Sequence, residues 1–137
     1  MRNSTKLAAC ILYFTICGFA KSNDSSKSFY LGNFQGSGRA CYGKLILKAK
    51  SVSWNTTYSS CKTSHYTILE LDQSGPKWAI VLERKVKDKK CYYPVIRLTH
   101  EINMGSNIGW SIEGFKTPKA YREESVKDSI GCYVYRI

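Results

Sequence analysis

Histidine is nearly absent from this chain: His65 and His100 are the only two among 137 residues. Acid–base catalysis near neutral pH most often runs through histidine, and neither is placed for it. His100 stands beside Glu101 at a strand end, where neighbouring side chains point to opposite faces and cannot form a dyad. His65 shares strand phase with Thr67, Leu69 and Leu71 and reads as an inward, hydrogen-bonded core residue. Glu70 and Asp72 share a strand face, but the second sits at a turn, and Glu123-Glu124 read as a solvated helix surface. Gly-x-Ser-x-Gly, a phosphate-cradling glycine loop and a zinc-protease helix are all missing. These absences point away from an enzyme and imply no cofactor.

Long apolar runs are scarce too. Leu7 to Ala20 is the one such run; it follows Arg2 and Lys6, ends on the small residues Gly18 and Ala20, and reads as a secretory signal cleaved after Ala20. It falls short of the roughly 20 apolar residues that span a bilayer, and the polar stretch Lys21 to Ser28 follows it. A lipoprotein is disfavoured, since almost no apolar sequence precedes Leu7-Ala8-Ala9-Cys10 and Ile16 is too large before Cys17. The expected organisation is a signal at 1–20, a disordered lead-in at 21–28 and one β domain at 29–137. The mature chain is soluble in the periplasm or outside the cell, without a transmembrane segment.

Close cysteine pairs are also lacking. Cleavage leaves Cys41, Cys61, Cys91 and Cys132, with no CxxC, which favours disulfides over a zinc site. Sequence alone allows three pairings. A meander narrows them, because the start of one strand lies beside the start of the strand two later. Cys61 precedes the His65 strand and Cys91 opens the strand two on, so these two pair. Cys41, in phase with Leu45 and Leu47, then pairs with Cys132, in phase with Val134, where the last strand closes on the early ones.

Acidic residues number 10 against 21 Lys plus Arg, a net charge of +11. Removing Arg2 and Lys6 leaves 19 cations against the same 10 anions, a net of +9. Such a surplus suits an anionic polymer, a lipid headgroup or an acidic protein, and it also favours solubility in its own right. Its densest piece is Glu83 to Lys90, where Arg84, Lys85, Lys87, Lys89 and Lys90 read as a cationic hairpin tip. The Cys61–Cys91 bond would draw Lys62 towards it. These six residues are the candidate anion-binding set.

Alternating short segments make up the rest. Phe29 to Phe34 reads as a first strand ending at Gly36-Ser37-Gly38. Tyr42 to Lys50 alternates Leu45, Leu47 and Ala49 against Lys44, Lys48 and Lys50, with Val52 and Trp54 continuing it. His65 to Leu71 and Lys77 to Val86 flank the turn at Asp72 to Pro76. A second turn at Lys87 to Lys90 leads into Tyr92 to Thr99, where Pro94 requires an edge or bulge. Ile108, Trp110 and Ile112 follow the loop Asn103 to Asn107, and Cys132 to Arg136 is last. One helix of up to about three turns starts at Thr117-Pro118 and stops at Gly131. The expected fold is mainly β: an antiparallel meander of about eight strands closing into a barrel-like sheet, with one short helix before the last strand. A two-sheet β-sandwich is the alternative.

The layout resembles small lipocalin-like barrels, although Gly32-Asn33-Phe34 lacks the tryptophan of their Gly-x-Trp start, and no family is assigned. Ser37-Gly38-Arg39-Ala40-Cys41-Tyr42 resembles, with spacing off by one residue, the Ser-Gly-x-x-Tyr loop of periplasmic lysozyme inhibitors, which implies a loop inserted into an enzyme cleft. A cationic lysozyme is a poor partner for a chain of net +9. Tyr92-Tyr93, Tyr133 and Tyr135 are read as strand residues, and nucleic acid is disfavoured as a partner for an exported protein. Asn23 and Asn55 begin glycosylation sequons. The expected function is a non-enzymatic exported binding or accessory domain for anionic ligands. A hydrolase inhibitor, and then a small hydrolase, are the alternatives.

Overall fold

The computed structural model describes residues 29–101 and 109–137. The expected signal, the lead-in, the Asn23 sequon and the loop Asn103 to Asn107 with Ile108 lie outside these residues. The strands are β1 (Gly32–Gly36), β2 (Gly43–Leu47), β3 (Ser51–Asn55), β4 (Ser60–Asp72), β5 (Lys77–Arg84), β6 (Val95–Glu101), β7 (Gly109–Phe115) and β8 (Ser129–Arg136), with helix α1 (Pro118–Arg122) between the last two. Each pairs antiparallel with the next, and β8 returns to β1 through Phe34↔Arg136, Gln35↔Tyr135 and Gly36↔Val134, which closes the sheet into a barrel. The sandwich alternative is thereby excluded. Among the described residues no helix is long and apolar enough to cross a membrane.

Strand parity fills the closed interior. Phe34, Leu45, Leu47, Val52, Trp54, Ile80, Leu82, Ile96, Leu98, Trp110, Ile112 and Val134 are inward and nearly inaccessible, and they meet in one cluster. Aromatic and aliphatic side chains thus occupy the barrel interior. Gly114 permits the packing, since a Cβ there would lie 2.6 Å from the Trp54 ring and 2.8 Å from the Tyr93 Cβ.

Several elements depart from the sequence reading for identifiable reasons. Leu45 and Leu47 are odd-numbered while Val52 and Trp54 are even, so one continuous strand would send the two pairs to opposite faces. The chain instead turns after Leu47, with Lys48 N–H donating to Ser51 O at 2.9 Å and Ala49 exposed. β1 begins only at Gly32; Phe29 packs edge-on against Trp78 and stacks near Trp110. β4 starts earlier than expected and carries a register shift between Ile68 and Glu70. That bulge switches phase, so His65 is exposed rather than inward, and its Nδ1 lies 3.0 Å from Lys50 O.

Helix α1 starts as expected, with the Thr117 hydroxyl accepting from Ala120 N at 3.0 Å and Pro118 at the first turn. It ends sooner, because Glu123 caps it and Glu124 takes a left-handed φ of 47°. A 3-10 turn (Val126–Asp128) follows, and Gly131 lies inside β8 instead of stopping the helix. The helix covers the outer wall, where Val81, Val95, Phe115 and Ala120 form a second small core.

Candidate functional site: a cationic rim bearing tyrosines

An up-and-down barrel places alternate connections at the same end. The connections β1–β2, β3–β4, β5–β6 and the helix-bearing β7–β8 therefore share one rim, and the β2–β3 and β4–β5 turns lie at the other end.

Both disulfides belong to the rim end. Cys41 is joined to Cys132 and Cys61 to Cys91, with Cα–Cα distances of 5.6 and 4.5 Å, in the pairing the meander geometry predicts. Hydrogen bonds join the first three connections further. Thr57 Oγ1 donates to Arg39 O at 2.7 Å, Tyr92 N–H to Ser59 Oγ at 3.1 Å and Ser60 N–H to Lys90 O at 3.1 Å. Gly43 is needed here as well, since a Cβ would lie 2.0 Å from Asn55 O and the residue has a φ of +152°.

Five of the six expected anion-binding residues reach solvent on this rim. Lys85, Lys87, Lys89 and Lys90 are exposed on the β5–β6 connection, and Lys62 is exposed beside Cys61, whose bond to Cys91 draws it to them. The connection is longer than the expected hairpin turn, running from Lys85 to Pro94. Asp88 shapes it by accepting from Lys90 N–H at 2.9 Å through its carboxylate and from Cys91 N–H at 3.1 Å through its carbonyl. Arg39, which the sequence reading did not single out, adds an exposed cation on the β1–β2 connection. None of these six cations is in an ion pair with a described residue. Around the helix, Lys116 meets Asp128 at 3.1 Å and Lys119 meets Glu123 at 3.7 Å, while Arg122 and Lys127 are exposed without an ion pair to a described residue.

Arg84 is a correction. It continues the inward phase of Ile80 and Leu82, is 3% exposed, and so points into the barrel rather than out from the tip. Its Nη2 donates to Tyr93 O, while Nε and Nη1 are buried without a partner among the described residues. Desolvation lowers its pKa to about 10. A solvated polymer outside the barrel does not reach it.

Tyrosine placement is a second correction. Tyr92 and Tyr93 precede β6 instead of lying on a strand. Tyr42, Tyr58 and Tyr92, one on each of the first three rim connections, are 70%, 62% and 51% exposed.

A different site lies on the outer wall beneath the helix, in a groove of about 460 Å³ lined in part by Glu70, Asp72, Lys77, Arg97, Glu113 and Tyr121. Arg97 is held by Glu113 at 2.6 Å and Glu124 at 3.0 Å, and the Glu113 hydrogen bond is the main cause of its raised pKa. The Tyr121 hydroxyl donates to Glu70 at 2.7 Å; desolvation, then that bond, pushes its pKa up to about 12. Arg97, Glu113, Glu124, Tyr121 and Glu70 thus answer one another and stitch the helix to the wall, while Asp72 is bonded to Ser74 and Lys77 pairs with Glu101. His100 likewise has structural partners, with Nδ1 2.8 Å from Gly109 O and its ring stacked on Trp110 at 4.4 Å.

Compared with known proteins, the chain matches no protein-family model, no curated protein and no solved structure.

Proposed function

We propose that this chain is an exported, non-enzymatic binding domain that holds an anionic polymer of the envelope or extracellular space on its rim. One observation carries the reading: six exposed cations without an ion-pair partner among the described residues gather on two connections and the start of β4, which two disulfides and interloop hydrogen bonds hold in place. Fixed cations attract an anionic chain without a large ordering cost at binding. Export is supported by the disulfides, which suit an oxidising compartment, and by the signal-like start of the sequence.

The attraction is electrostatic and screened over about 8 Å at physiological salt, so affinity for a polyanion falls as salt rises. Replacing Lys62, Lys85, Lys87, Lys89 and Lys90 by serine weakens it far more than replacing Lys44, Lys48 and Lys50, of which Lys48 and Lys50 lie at the opposite end. Titration calorimetry over a salt series measures this. Equal losses from the two sets, or no binding at low salt, would refute the proposal.

Inhibition of an exported hydrolase is the second reading, and the Ser37–Tyr42 turn favours it. Cys41 and Tyr42 N–H groups donate to Gly38 O at 3.2 and 2.9 Å, Gly38 has a φ of 88°, and Cys41 is tied to β8. Such a turn is stiff and exposed, as insertion into a cleft requires. Replacing Ser37-Gly38-Arg39 by alanines abolishes inhibition on this reading and spares most of the polyanion binding.

A further inference from the structure

Apart from Tyr42, Tyr58 and Tyr92, four of the other six described tyrosines have a structural task, and the remaining two, Tyr133 and Tyr135, lie exposed along β8 rather than on a connection. The Tyr66 hydroxyl donates to Lys48 O at 2.9 Å, Tyr121 is bonded to Glu70, Tyr93 faces Trp54 at 6.1 Å, and Tyr30 is buried against Phe29. Tyr42, Tyr58 and Tyr92 differ. None of their rings is stacked on another described aromatic, and none of their hydroxyls has a described partner. Each is more than half exposed, and each stands on a different connection of the rim.

Their placement is fixed by backbone contacts. Tyr42 is anchored between the Cys41 disulfide and Gly43, whose close approach to Asn55 O presses the start of β2 onto the β3–β4 connection. Tyr58 lies between Thr57, bonded to Arg39 O, and Ser59, which accepts from Tyr92 N–H. Tyr92 follows Cys91, bonded to Cys61. Three ring-bearing connections therefore stand side by side, interleaved with Arg39, Lys62, Lys89 and Lys90.

Resting on the rim reading above, we propose that the polymer is an acidic glycan. Cations alone serve any polyanion, and a bare phosphate chain or a headgroup offers no flat apolar surface. A pyranose ring does: its C–H face stacks on a tyrosine ring while its carboxylate or sulfate substituents meet the lysines. A tyrosine ring also loses little conformational freedom on contact. Bases would stack on the same rings, but the disulfides suit a compartment where nucleic acid is not the expected polymer.

The test titrates the folded full-length domain with polygalacturonate, inorganic polyphosphate and oligo-dT at one salt concentration. Thermal melting checks that each variant stays folded. Replacing Tyr42, Tyr58 and Tyr92 together by alanine lowers polygalacturonate affinity about tenfold or more, as loss of stacking on an aromatic platform does. Polyphosphate affinity changes by less than about twofold, a small free-energy difference. Loss of Lys62, Lys85, Lys87, Lys89 and Lys90 lowers both. If the tyrosine variant leaves both polymers unaffected or weakens both equally, or if oligo-dT binds more tightly than the glycan and loses more, the glycan assignment is overturned while the rim reading stands. If no polymer binds and the lysine set changes nothing, the rim reading itself falls.

Discussion

The two ends of the barrel are closed by different means. At the far end, Phe29 packs against Tyr30, Trp78 and Trp110 at 5.2, 4.9 and 6.0 Å, His100 stacks on Trp110, and the Arg136 guanidinium lies 5.3 Å from both the Phe34 and Trp110 ring centroids. That end is held by aromatic burial. The rim end packs Trp54 against Tyr93 but leaves Tyr42, Tyr58, Tyr92 and its lysines in solvent, and its connections are held by covalent bonds and interloop hydrogen bonds. Where disulfides and backbone hydrogen bonds fix a connection, its outer side chains are released from structural work and can meet a ligand.

Breaking the covalent end has the largest expected effect. Replacing Cys41 and Cys132 by alanine opens a loop of sequence separation 91 and costs roughly 4–5 kcal/mol on the chain-entropy account. Losing Cys61–Cys91, separation 30, costs roughly 3–4 kcal/mol and in addition weakens polyanion binding, because it frees the β5–β6 connection. Denaturant unfolding measures both costs. Equal stability with and without either bond would contradict this account of the rim.

At the packed end, Phe29→Ala removes a ring that meets three others. The expected loss is about 2 kcal/mol, the worth of burying a phenylalanine side chain, with polyanion binding unchanged. A fall in binding would show that the two ends are not independent.

Arg84 sharpens the contrast with the opposite sign. A buried guanidinium with two nitrogens unpartnered among the described residues is a cost, and an apolar side chain of similar length removes it. Arg84→Met should raise stability by up to roughly 3 kcal/mol, less whatever is lost at Tyr93 O. Destabilisation would mean that Arg84 holds a counter-charge after all.

Alkaline titration gives the smallest and most local effect. Desolvation is the main cause that raises the Tyr66 pKa to about 12, with Tyr121 raised to the same value. The folded state keeps these protons after the unfolded state has lost them. Their contribution is complete below the ordinary tyrosine value and is lost as pH rises from about 10 to about 12. Arg84 acts oppositely: its folded pKa is depressed to about 10, so the unfolded state binds more protons above that pH and stability gains. Thermal melting between these limits should fall more steeply in Arg84→Met than in the parent, and less steeply in Tyr66→Phe.

Much of the fold was legible because alternation is local. Leu45 and Leu47, and Trp110 and Ile112, announce their strands, Thr117-Pro118 announces the helix start, and the cysteine pairing follows once the meander is assumed. Events that change phase were not legible. The turn at Lys48 to Lys50 is betrayed only by the odd-to-even switch between Leu47 and Val52, and the bulge at Ile68 to Glu70 moved His65 outward without a glycine or proline to mark it. Arg84 was placed by its charged neighbours, whereas strand phase with Ile80 and Leu82 puts it inside. The rim's lysines were visible as a run. Tyr42, Tyr58 and Arg39 were not, since only the closed barrel brings those connections together. The Glu70, Arg97, Glu113 and Tyr121 groove was missed for the same reason.

The most direct test is to titrate isotopically labelled protein with polygalacturonate at low salt and follow backbone amide shifts residue by residue. The account predicts shifts confined to residues 37–42, 56–62 and 85–92, with Phe29, Trp78, Trp110 and the Glu70–Tyr121 groove unmoved. Shifts centred on that groove or on the aromatic end, or spread evenly over the surface, would contradict it.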